Sequence, residues 1–286
     1  MKSFLIVAAF LCSIVFSAQA QRNEKSLLWE ISGNGLTAPS YLYGTIHLVC
    51  PNDFVLSDSL KAKFGKAQQI VLEIDMDDPA MMAKMMQTMY MKDGKKLKIL
   101  LNEADYTQLS AYVKDSLGMG IGFIETMKPF AAMSLFYTKM LRCAPQSYEM
   151  VLMQMAQASK KEVLGLETIE SQMAIFDKIP YEKQAQMLMQ LVKKSQEAAA
   201  EFKDLVKLYK KQDVDELEKT MDKSSFEFEG YENDILYNRN AAWIAEIEKL
   251  AAKKPTLFAV GAAHLGGKKG VLALLRKAGF RVRAVR

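Results

Sequence analysis

The β-forming patterns of this chain sit at its two ends, with a long helical stretch between them. Residues 27–48 (LLWEISGNGLTAPSYLYGTIHL) hold two apolar and aromatic runs around Gly-Asn-Gly and Ala-Pro-Ser, the signature of a β-hairpin. The tail reads as a strand (PTLFAVGAAH), a helix closed by Gly279 (KKGVLALLRKAG) and a last strand (FRVRAVR). Strand–loop–helix–strand of this kind predicts a βαβ unit. Two isolated runs, 68–75 (QQIVLEID) and 161–168 (KEVLGLET), have the length of buried strands. A sheet drawing on all four must bring the two ends of the chain together. The expectation is therefore an α+β or α/β fold, its central sheet built from N- and C-terminal segments around a large, mostly helical insertion at 79–220.

Helices are expected at 56–67, 103–116, 128–142, 147–160, 169–176, 181–209, 213–221 and 232–254, several with apolar residues at i, i+3 and i+4. The methionine-rich segment 79–92 reads as a core or lid helix, since methionine fills irregular packing. Asp77 and Asp78 are placed to cap it.

The first twenty residues stand apart. Lys2, the apolar stretch 4–16 and Ala18-Gln19-Ala20 form a secretory signal peptide, which predicts an exported protein, periplasmic or secreted. Residues 21–286 are expected to form a single domain with no stable membrane insertion. The formal charge of the whole chain is +5, and its basic and acidic residues are intermixed, so nothing indicates nucleic acid. Cys50 and Cys143 survive processing; a bridge and two free thiols are both open, and oligomeric state is not readable.

Candidate chemistry rests on the two histidines of the chain, His47 and His264. Each closes a Gly-x-x-His frame after an apolar run, with Gly44 and Gly261. Glycine allows positive φ and close backbone approach, so each frame is expected to turn off the sheet and project its imidazole into a strand-end crevice. Two such histidines with a carboxylate suit a divalent metal. Glu73 with Asp75, and Glu167, follow strand runs and qualify; Glu30 is expected to face solvent. Arg239, flanked by Asn238 and Asn240 before an apolar helix, is either part of a cap or a stabiliser of developing negative charge. No HExxH helix, Gly-x-Ser-x-Gly elbow or P-loop is present. The glycines at 118–123 follow no strand, so they form no dinucleotide site.

The segments LLWEISGNGLTAPSYLYGTIHLV, VLEIDMDD, KKEVLGLETIESQMAIFD, YNRNAAWIAEIEKL and LFAVGAAHLGGKKGVLALLRKAGFRVRAV, in this order, resemble the TraB/PrgY/GumN family, which is related to the TIKI Wnt-cleaving metalloproteases of animals. The resemblance implies a divalent-metal-dependent peptidase acting on a peptide or protein, with Mn²⁺ or Co²⁺ as the ion and Zn²⁺ as a further candidate. It maps the essential histidines and acidic residue onto His47, His264 and Glu73, which are expected to hold the ion. Glu167 and Arg239 lie in further family motifs. The catalytic set is expected to be Glu73, Glu167 and Arg239, with Glu167 or Asp75 as a further ligand or general base and Arg239 steadying an oxyanion. A non-catalytic peptide- or haem-binding protein of the same fold is the alternative, since two histidines also suffice for haem iron. Expression with its leader should yield a mature chain beginning at Gln21; N-terminal sequencing that reads Met1 on exported protein would contradict the leader assignment.

Overall fold

Both ends of the chain meet in one sheet. A computed structural model describes residues 24–222 and 230–285; the leader and its cleavage site lie outside the described residues. Among the described residues there are six strands: β1 (Leu28–Gly33), β2 (Ser40–Thr45), β3 (Gln69–Ile74), β4 (Glu162–Glu167), β5 (Thr256–Gly261) and β6 (Phe280–Ala284). They lie in the order β4-β3-β5-β2-β1-β6. β1 pairs antiparallel with β2 and β6, whereas β2–β5, β3–β5 and β3–β4 are parallel pairs. Only β1 runs against the rest. The hairpin turns through Gly33, Asn34 and Gly35, all at positive φ (78°, 47° and 78°), a conformation that glycine and asparagine adopt most readily. β5 and β6 run the same way, as a βαβ unit requires, but β2 and β1 stand between them.

The strand sequences explain this order. Every residue of β2 is buried, as are the first five of β3 and of β5. Strands covered on both faces read as continuous apolar runs rather than alternations. Leu42, Ile70, Leu72 and Phe258 have no exposed surface, and each such burial contributes roughly 1.5–3 kcal/mol. One face of the sheet is covered by the helix Asn238–Lys253, which buries Arg239, Asn240, Trp243, Ile247 and Leu250. The insertion builds a second core around Leu97, Leu109, Ile124, Phe136 and Leu188.

Three expectations need correction. The helix predicted over 181–209 is two, Tyr181–Lys193 and Ser195–Lys210, broken at Lys194 (φ −112°, ψ 30°). The first helix packs Met187, Leu188 and Leu191 into the helical core, while the second ends with Val206 and Tyr209 in the sheet core. One straight helix would not serve both. Asn238, Arg239 and Asn240 do not precede their helix; the π-turn Asn233–Tyr237 runs directly into it and leaves them in its first turn. Finally, β3 stops at Ile74, so Asp75 does not share a strand face with Glu73. The methionine-rich helix spans Met81–Met89; it starts two residues later than Pro79, with Asp78 accepting from Ala80 N at 2.8 Å. No helix of the described residues is long and apolar enough to cross a membrane.

Cys50 and Cys143 are bonded. Beside them Val49 and Gln146 exchange backbone hydrogen bonds of 3.0 and 2.8 Å. Together these tie the loop after β2 to the segment before the helix Tyr148–Ala158. The bridge closes a separation of 93 residues. Replacing both cysteines by serine should lower unfolding free energy by about 2–4 kcal/mol, read from urea denaturation; an unchanged midpoint would contradict a stabilising bridge.

Candidate functional site

Four neighbouring parallel strands deliver their carboxyl ends to one side of the sheet. Along β4, β3, β5 and β2 these ends carry Glu167, Glu73, Gly261 with His264, and His47 in turn. Open α/β sheets hold ligands at this position. The two Gly-x-x-His frames lie side by side because β2 and β5 pair in parallel, with Thr45 opposite Gly261.

The glycines supply space rather than an unusual backbone. Neither Gly44 nor Gly261 has positive φ, which corrects the turn argument above. A Cβ on Gly44 would stand 3.0 Å from Ala262 Cβ and 3.1 Å from Leu265 Cδ2, so its hydrogen lets the loop after β5 pack down onto β2. A Cβ on Gly261 would stand 3.4 Å from Glu73 Oε1, 3.5 Å from His264 Cδ2 and 3.7 Å from His47 Nε2. Glycine therefore leaves a recess, about one atom across, bordered by both histidines and Glu73.

Each histidine is oriented by an oxygen on its outer nitrogen. Asn240 Nδ2 donates to the Lys269 carbonyl at 3.0 Å, which turns Oδ1 toward His264 Nδ1 at 2.6 Å. The proton of His264 accordingly sits on Nδ1, and Nε2 presents a lone pair that accepts from Arg239 Nη1 at 3.2 Å. Burial and the positive charge of Arg239 keep His264 neutral, lowering its pKa to about 3. His47 Nδ1 lies 2.9 Å from Glu149 Oε1. Its side chain is 66% exposed. Desolvation by the surrounding protein opposes charge on His47, but Glu149 outweighs it and raises the pKa to about 9. An ion at Nε2 would have to displace that proton.

Glu149 was not legible as a site residue. Thr45 Oγ1 and Ser147 Oγ both donate to it at 2.6 Å. Burial alone would raise its pKa, yet His47 and these hydroxyls lower it to about 2. Its one sequence signal is a carboxylate on the inward stripe of a helix, in register with buried Leu152 and Ala156.

Arg239 anchors the carboxylates. Its Nε donates to Glu167 Oε1 at 3.0 Å, Nη1 to the Ile235 carbonyl at 3.0 Å and to His264, and Nη2 to Glu73 Oε2 and Glu167 Oε1. All five N–H groups thus face protein acceptors, and the Trp243 ring lies 4.8 Å from the guanidinium carbon. Gln172 Nε2 bridges Glu167 Oε1 at 2.9 Å and Glu73 Oε2 at 3.2 Å. Gly261 N donates to Glu73 Oε1 at 2.8 Å. Burial would raise the Glu73 pKa, but charge on His264, Arg239 and His47 and this N–H lower it to about 2; while His264 is neutral, Arg239 and His47 carry the electrostatic part. The remaining candidates stand apart. Glu30, on β1, pairs with Lys63 at 3.2 Å. Asp75 lies past β3, where burial first and then Asp77 raise its pKa to about 6.

No group of three or more His, Cys, Asp or Glu among the described residues forms a ready-made metal site. His264 Nε2 and Glu73 Oε1 are 4.0 Å apart, and Arg239 occupies the Nε2 lone pair. The donor chemistry nevertheless fits a divalent ion. Two imidazoles with an oxygen partner on the outer nitrogen flank a carboxylate, around the recess at Gly261; metal-binding histidines are oriented in this way.

An α/β chain with two histidines and a carboxylate at adjacent strand ends is the class of protein defined here. The chain belongs to the TraB/PrgY/gumN family, whose model matches residues 27–284. It is similar to "Metalloprotease TIKI2" of Danio rerio, at 23% identity over 92% of this chain and 61% of the relative. It is likewise similar to "Metalloprotease TIKI1" of Homo sapiens, at 23% over 92% and 62%. A "Metalloprotease TIKI homolog" of Nematostella vectensis is 29% identical over 33% of this chain and 20% of its own. The chain spans about three fifths of the two longer-matching relatives. No solved structure matches it.

Arg239→Met should remove about 3–5 kcal/mol of stability at pH 7, because it strands buried carboxylates. In the wild type the contribution of Glu73 is present above its ordinary pKa of 4.5 and is lost as pH falls toward 2. The deficit of the variant should therefore shrink across that acid window; a constant difference in unfolding free energy from pH 7 to pH 3 would contradict the assignment.

Proposed function

We propose that the protein is an exported, divalent-metal-dependent hydrolase, a peptidase acting on peptide or protein substrates. The observation that carries this reading is the recess at Gly261, bordered by His47 Nε2, Glu73 Oε1 and the His264 ring. Membership of a family with metalloprotease relatives supports it. His47, His264 and Glu73 are the residues proposed to hold the ion, with manganese and cobalt the first to test and zinc the next. When bound, such an ion supplies Lewis-acid polarisation of a carbonyl and lowers the pKa of water.

The remaining roles belong to the chain itself. Glu149 and Asn240 hold the two imidazoles in their working orientation. Arg239 and Gln172 keep Glu73 and Glu167 apart from bulk water and correctly turned. Glu167 is proposed as the carboxylate that accepts and returns a proton. For Arg239 to steady an oxyanion, it must release one of its present acceptors; its bond to His264 Nε2 is the one an incoming ligand would replace. If that bond is kept, the competing reading is a peptide-binding protein without turnover; a haem would need the same Nε2 lone pair.

Stripping the purified chain with chelator should abolish cleavage of a peptide library, and added Mn²⁺ or Co²⁺ should restore it. Gly261→Ala is the informative variant, because its methyl group fills the recess at ordinary contact distances to the histidines and Glu73. It should fold with an unchanged circular dichroism spectrum yet lose at least about a hundredfold in kcat/KM, the scale of one misplaced catalytic group. Full activity in Gly261→Ala, or cleavage indifferent to chelator, would contradict the reading. A Soret band on purified protein would favour haem.

A further inference from the structure

The edge of the sheet nearest the site is open. Among the described residues β4 is the terminal strand and pairs only with β3. Among the described residues, no backbone group outside that ladder bonds to Glu162–Glu167. Gly165, in mid-strand, is partly exposed, and with no side chain that exposure is backbone. An unpaired strand edge is a template for another chain. Proteins usually blunt such edges with charged side chains, proline or a bulge; β4 (EVLGLE) carries charge only at its two ends, and its middle, Val163 to Leu166, has none of these.

A groove of about 350 Å³ follows this edge. Leu164 to Ile169 line it, so it includes Glu167 at the end of the strand. Asp75, Asp78, Glu170 and Glu246 line it with one lysine, Lys84, and Glu246 is paired with Lys249 at 2.9 Å. Lys84 is already engaged, 2.8 Å from Asp78 and 3.9 Å from Glu170. Asp75 Oδ1 is buried with no hydrogen-bond partner. The groove therefore brings unpaired backbone groups together with the surplus negative charge of Asp75 and Glu170.

We propose that β4 is the substrate-docking edge: an extended peptide carrying basic side chains adds to the sheet as a seventh strand and is led along the edge to Glu167. Main-chain hydrogen bonds supply the affinity and the acidic walls select the side chains, the mode known as β-augmentation. The choice of occupant rests on the hydrolase reading above. Charge complementarity and continuity with the strand-end site support it over a second copy of this chain, whose own β4 groove would repeat the same negative charge.

The test uses the mature chain in chelator, so that peptide stays intact. The probes are a fluorescent alternating lysine–valine decapeptide, its glutamate–valine counterpart, and the lysine peptide N-methylated at every second residue. The lysine peptide should bind and slow hydrogen exchange across Glu162–Glu167. N-methylation, the glutamate sequence, or the paired variant Glu170→Lys with Glu246→Lys should each weaken binding by roughly tenfold or more, as expected when the recognition rests on backbone bonds and charge. No binding at millimolar peptide, slowed exchange only elsewhere, or affinity indifferent to N-methylation overturns the proposal. So does exchange that slows with protein concentration alone, which assigns the edge to a second copy. Cleavage with Mn²⁺ restored is scored separately. Binding without cleavage keeps the edge site and removes the hydrolase reading; cleavage with no protection of β4 does the reverse.

Discussion

The parallel pairing of β2 with β5 governs everything functional in this molecule. The two strands lie more than two hundred residues apart in sequence, and the register that sets Thr45 opposite Gly261 brings both Gly-x-x-His frames to one sheet end. The pairing depends on Gly44, because any larger side chain there would meet Ala262 and Leu265 at about 3 Å. Side chains enclose the pair on both faces, so a slip of register would turn apolar residues away from their partners and carry an energetic cost at each position. Convergence of the histidines is thus a consequence of core packing, with no separate device needed to bring them together.

Electrostatics then determine what that convergence can do. Glu73 and Arg239 are buried and Glu167 is largely so, and none would be stable alone in a low-dielectric setting. Their mutual satisfaction leaves Glu73 ionised and His264 neutral, its Nε2 lone pair held by Arg239. The far histidine is built differently. His47 meets solvent and takes its charge from Glu149, which a disulfide and the Val49–Gln146 bridge hold in place. One imidazole is set rigidly in the floor and the other stands at the entrance, an arrangement suited to admitting a ligand between them. The open edge of β4 approaches the same row from the side.

Much of this was legible from residues alone. The strand runs, the central sheet with its helical insertion, and the strand-end placement of His47, His264, Glu73 and Glu167 all follow from apolar patterning and from glycine spacing. The orienting groups were not. Glu149 reaches His47 across 102 residues and Asn240 reaches His264 across 24; nothing local distinguishes them from a helical glutamate and a capping asparagine. Arg239 was seen, but its place inside the first helical turn depends on a π-turn that no sequence pattern marks. Asp75 was grouped with Glu73 because strand alternation was extended one residue too far. The purpose of the glycines was legible only in part: they serve close approach, while the backbone at Gly44 and Gly261 is unexceptional.

The central claim is that His47 and His264 act as one ligand pair. Having only two histidines, the protein allows this to be read directly by nuclear magnetic resonance on a sample labelled with ¹⁵N-histidine. Titration with Zn²⁺, or with Co²⁺ for its paramagnetic shifts, should move the Nε2 signals of both rings together and saturate at one ion per chain, leaving both Nδ1 atoms protonated. An ion that moves one ring and not the other, or neither, would contradict the account.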